Sequence, residues 1–93
     1  MRAITTPPDP RPRGQLTRTF VLALATNVAD ERSRVGLTQL GLAEAAELSR
    51  ATVHLIEAGN CDPRLSTITS LAQALGVDPI QLLVPRSAIR DGI

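Results

Sequence analysis

The stretch GLTQLGLAEAAELSRATVHLIEAG, residues 36–59, decides how this chain folds. Its second half carries Ser49, a residue type whose side chain caps helix N-termini, and Gly59, the type that closes helices. The helix predicted between them runs over residues 50–58. At about 100° per residue, Val53, Ile56 and Glu57 fall on one side of it. Arg50, Ala51, His54, Leu55 and Ala58 fall opposite. The first side has the residues to pack. The second carries too little charge to serve only as a solubilising surface, which marks it as a face meant for contact. Upstream, Thr38 is the expected N-cap of another short helix, 39–46, with Leu42, Ala43 and Ala46 turned inward. Gly41 inside that helix costs about 1 kcal/mol against alanine. It also occupies the position where a capping box would need Glu or Gln.

Outward from this core stretch the chain keeps reading as helix. From Thr17, Phe20, Leu24, Val28 and Val35 recur at helical spacing and predict a helix from 17 to 35, stopped at Gly36. Asp30, Glu31, Arg32 and Arg34 crowd its end. Leu65, Ile68, Leu71, Ala72 and Leu75 mark a fourth helix, closed by Gly76. Asp78-Pro79 is a cap followed by a proline at the first helical position, and IQLLV makes a short fifth helix halted by Pro85. Residues 1–16 hold the run TTPPDPRPRG and are expected to form a flexible Pro/Arg-rich arm. Residues 85–93 are expected to be a loose tail. No repeat and no strand pair is legible. The predicted class is all-α, five short helices, with the folded domain at 17–84.

Composition bounds what such a domain can be. At 93 residues it is one domain with a small core, burying only about 60–70% of its unfolded surface. Phe20 is the single aromatic residue, so the core must be aliphatic. The ten basic residues are all arginine, yet the formal net charge is only +1. Their distribution is uneven: Arg2, Arg11, Arg13 and Arg18 stand against Asp9 alone before residue 19. A single cysteine, Cys61, allows neither an intrachain disulfide nor a cysteine metal cluster, which points to a cytoplasmic protein without a metal. No apolar run approaches the roughly 20 residues of a membrane span, and the first residues lack an apolar signal core. With one histidine and no serine or aspartate at a suitable spacing, catalysis finds no support, and no cofactor is expected.

Only Glu47-Leu48-Ser49 separates the helices 39–46 and 50–58, which is the layout of a helix-turn-helix. In register, GLTQ, LAE, LSRATV and LIEAG resemble the lambda-repressor and Cro type of helix-turn-helix, the XRE family. ITSLAQALGVDPIQLL is similar to that family's fourth and fifth helices, so the likeness covers about Asn27 to Leu83. The resemblance implies a lambda repressor-like DNA-binding domain. Its second motif helix would lie in the major groove, with N-terminal residues toward the base edges.

Each candidate contact carries two readings. Arg50 is either a solvated arginine or a bidentate fork to guanine O6 and N7. Ala51 is either a filler or a small residue that permits close approach to a thymine methyl. His54 either contacts the groove or only faces solvent. Leu55 meets a thymine methyl or packs beneath the 59–63 loop, with packing slightly favoured. By resemblance, Thr38 and Gln39 hold the backbone of the duplex, helped by the free N–H groups of their helix start, and Gln39 also braces the next helix; the plainer reading is a simple cap and a polar surface residue. Asn60 and Arg64 would likewise grip phosphate, fixing register without reading sequence. Asp62 lies between them and would repel phosphate unless it turns away or pairs with Arg64. Glu57 falls on the packing side and needs a partner; the family pattern supplies Arg32 for a partly buried pair. Glu47 stands where the family often has glycine, so a left-handed backbone there would cost roughly 1–2 kcal/mol.

The function implied is sequence-specific binding of double-stranded DNA by a transcriptional regulator, a repressor or an activator. A homodimer through Ile80, Leu82, Leu83, Val84 and Ile89 would double the contacts; the alternative is that these residues, Leu82 and Leu83 first, only close the core. An antitoxin, with a toxin as protein partner, or a restriction-controller protein would share the same features. A protein-interaction module that has lost DNA is the reading from a different class.

Overall fold

The helices of this chain begin and end where backbone chemistry tells them to. The computed structural model describes residues 7–86, and they form α1 (Gln15–Arg34), α2 (Gln39–Ala46), α3 (Arg50–Glu57), α4 (Leu65–Leu75) and α5 (Pro79–Leu83). No strand occurs among the described residues. Thr38 caps α2 by accepting from the Gly41 N–H at 2.9 Å, and Ser49 caps α3 by accepting from Thr52 at 3.1 Å. At α5, Asp78 accepts from the Ile80 N–H while Gln81 accepts from the Asp78 N–H, a reciprocal device that compensates for the helix's shortness. α1 starts two residues earlier than its apolar spacing predicts, because the Gln15 N–H bonds the Pro12 carbonyl and extends the helix toward the proline-rich segment.

Four helices stop on the same paired backbone bonds, one closing five residues back and one three. For α3 these are Asn60 N–H to the Leu55 carbonyl and Gly59 N–H to the Ile56 carbonyl. The turn requires a left-handed residue, and Gly59 supplies it at φ 73°. At the end of α2 the same role falls to Glu47, with φ 57° and ψ 43°, the one non-glycine residue in that region among those described. The strain expected of this turn is therefore present.

The core is aliphatic. Leu24 and Val28 of α1, Leu42 of α2, Val53 and Ile56 of α3, Leu71 of α4 and Leu82 of α5 are all essentially removed from solvent. α1 packs on α3, α4 and α5, while α2 packs on α3 and α4. Leu42, Ala43 and Ala46 face inward as predicted. Other positions depart from the periodic reading. Leu65 starts α4 but is 71% exposed, since the first turn projects beyond the core. Phe20 and Val35, at the two ends of the α1 stripe, are also exposed. Leu82 corrects the expected dimer surface: it is wholly buried in this core and unavailable to a partner. Leu83 is half-buried against the same cluster, and Val84 is only partly exposed. Ile80, 66% exposed, keeps a free face. Ile89 lies outside the described residues, as do residues 1–6 of the arm and 87–93 of the tail.

One core contact is polar. Asn27, on the inner face of α1, is buried, and its amide donates toward the carbonyls of Gln81 (3.2 Å), Leu82 (2.9 Å) and Val84 (2.9 Å). A helix end leaves its last carbonyls without partners. Asn27 satisfies two of those of α5, at Gln81 and Leu82, and the carbonyl of Val84 just after it, and so ties α5 to α1. No helix among the described residues is long and apolar enough to cross a membrane.

Candidate functional site

α3 is held from behind and left free in front. Behind, Val53 and Ile56 enter the core. Beside them the Glu57 side chain is only 7% exposed, and its carboxylate accepts two bonds from Arg32, from Nε at 2.7 Å and Nη2 at 3.0 Å. Arg32 is 20% exposed and spends its Nη1 on the Leu37 carbonyl at 2.8 Å. Gln39 at the start of α2 donates to the same carboxylate at 3.2 Å. The predicted Arg32–Glu57 pair is thus one edge of a larger network that joins α1, α2 and α3. The bidentate bond to Glu57 holds the Arg32 guanidinium above its ordinary pKa. With Glu57 turned inward and paired with Arg32, α3 directs no carboxylate outward.

In front, Arg50, Ala51, His54 and Leu55 are all exposed. Gln39, Arg50, Ala51 and His54 line one open hollow, so the structure brings together the start of α2 and the leading turn of α3. Leu55 is half-exposed rather than sealed beneath the following loop, and its carbonyl receives the Asn60 N–H. Thr38, Asn60 and Arg64 are exposed, at the start of α2, just after α3 and just before α4 respectively. Asp62 makes no ion pair with Arg64 among the described residues. No group of three or more His, Cys, Asp or Glu side chains able to hold a metal ion is found among the described residues.

Two residues that matter here carry no sequence signal as a site. Asn27 fixes the position of α5, and its only trace is a polar residue on the apolar stripe of α1. Arg18 of α1 donates from Nη1 to the Gly59 carbonyl at 2.8 Å, across 41 residues of sequence. No spacing rule connects such distant positions.

Comparisons with known proteins agree with this geometry. The model of a helix-turn-helix domain matches residues 23–83. A crystal structure of the hypothetical transcription factor NHTF from Neisseria is similar at 32% identity and a TM-score of 0.76, over 81% of this chain and 84% of that one. The restriction-modification controller protein C.AhdI from Aeromonas hydrophila is similar at 31% identity and a TM-score of 0.65, over 67% of this chain and 94% of that one. Among curated proteins none matches.

Proposed function

The chain belongs to the helix-turn-helix domain family and is a DNA-binding regulator of the Cro/C1 type, and we propose that it reads a specific duplex sequence with α3 in the major groove. The observation that carries this reading is the two-sidedness of α3. Its inner side is locked by Val53, Ile56 and the Arg32–Glu57–Gln39 network, while its outer side offers Arg50, Ala51, His54 and Leu55 without a carboxylate. Arg50 is the base reader with the greatest reach, through the guanidinium fork that matches guanine. Ala51 and Leu55 suit thymine methyl groups, and His54 adds a polar contact. Thr38, Gln39, Asn60 and Arg64 take phosphate and set the register.

One recognition helix spans only a few base pairs, so the regulator acts as a homodimer on a pseudo-palindromic site, with half-sites about 34 Å apart. Ile80 leads the dimer surface, with Leu83 and Val84 contributing their exposed edges. Such a protein works in the cytoplasm beside the genome. A second reading, a restriction-modification controller, is favoured by the likeness to C.AhdI across nearly all of that chain. A restriction endonuclease gene next to this one would support it.

Selection of bound duplexes from a random DNA pool tests the proposal. A recurring motif with two related halves is expected. On the selected duplex, Arg50→Ala should relax preference at one guanine, worth about 1–3 kcal/mol, whereas Arg64→Ala should weaken all sequences alike. No enrichment at any salt would end the reading and favour a protein-interaction module. Equal loss on every sequence from Arg50→Ala would remove Arg50 as a base reader.

A further inference from the structure

The first two turns of α1, residues 15–22, lie ahead of the segment that the family shares, 23–83, and they touch the end of the recognition helix. Arg18 donates to the Gly59 carbonyl at 2.8 Å. Leu22 lies so close that a Cβ on Gly59 would sit 3.1 Å from its Cδ2. The extension therefore braces the turn that ends α3 at two points. Arg18 is exposed and has no carboxylate partner among the described residues, so one N–H is used on Gly59 and the rest of the guanidinium is free to bond. Its neighbours in the cleft include Gly14, Thr17, Asn60 and Asp62.

This position has an electrostatic consequence. The C-terminal end of a helix is its negative end, and a phosphate approaching the last carbonyls of α3 would be repelled. A guanidinium fixed on the Gly59 carbonyl reverses the sign at that point, one residue from Asn60. We propose that Arg18 and Asn60 form a phosphodiester-binding site at the C-terminal rim of α3, with Arg18 supplying the charge and Asn60 a neutral hydrogen bond. Asp62 shares the cleft and opposes the anion, so it tunes the site downward. The site rests on the docking reading above, and it adds a contact from α1 that the helix-turn-helix alone does not contain.

Salt titration separates this site from a structural brace. Each neutralised phosphate contributes about 0.9 to the slope of log affinity against log salt. Arg18→Gln keeps a donor for the Gly59 carbonyl but removes the charge. It should lower the slope by about 0.9 per bound protomer, hence about 1.8 for the homodimer, on specific and non-specific duplexes alike. Its affinity deficit should therefore shrink about 3.5-fold per protomer, or about 12-fold for the homodimer, between roughly 50 and 200 mM salt. Arg18→Lys should keep the slope, and Asp62→Asn should tighten binding to every sequence. Melting curves confirm that each variant is folded at the titration temperature. An unchanged slope in Arg18→Gln beside a steep wild-type slope overturns the site and leaves the docking reading standing. A wild-type chain that binds no duplex at low salt removes both together.

Discussion

Replacing Arg32 by methionine removes the guanidinium while keeping much of the side chain's length. Glu57 would then retain Gln39 alone, at 3.2 Å, and the Leu37 carbonyl would lose its donor. Breaking one partner out of a fully buried ion pair costs about 3–5 kcal/mol. Here the Glu57 side chain is 7% exposed but that of Arg32 is 20% exposed, so water relieves part of the loss. The expected cost is about 2–4 kcal/mol. For a domain of this size that lowers Tm by about 10–30 °C. Thermal and urea unfolding, followed by circular dichroism, measure it. The double variant Arg32→Met, Glu57→Leu leaves no charge behind and should regain most of the loss. A single-variant cost below about 0.5 kcal/mol would mean that the pair behaves as a solvated surface bridge, and the account of how α3 is held would fail. The same would follow if the double variant were no more stable than the single one.

Two further substitutions test how the ends of the elements are held. Asn27→Ala should cost about 2–3 kcal/mol in urea unfolding, because the buried carbonyls at the end of α5 lose their donor; a loss under about 0.5 kcal/mol would show that water replaces the amide freely. Glu47→Gly should stabilise the domain by about 1 kcal/mol, the relief of the left-handed strain exceeding the added freedom of the unfolded chain, and a lower Tm would contradict this.

The positions of α2, α3 and α4 were legible because each has a local mark. Thr38 and Ser49 cap α2 and α3, Gly59 and Gly76 close α3 and α4, and the apolar residues between recur at helical spacing. The division of α3 into an inner and an outer side was legible for the same reason, since 100° per residue is a property of the helix itself. The Arg32–Glu57 pair needed a resemblance, because nothing local links residues 25 apart. Between dimer surface and core, only packing decides for Leu82, because a run of apolar residues does not say which of them faces inward.

The sequence by itself determined five helical segments, the caps of α2, α3 and α5, the aliphatic character of the core and the outward side of α3, all through patterns that repeat within a few residues. Only the tertiary structure decided that Gln39 would join the Arg32–Glu57 pair, that Asn27 would hold the end of α5, and that Arg18 would reach Gly59. Those contacts depend on how helices approach one another. Packing shape sets that approach, and a polar side chain finds its partner only after the helices have met.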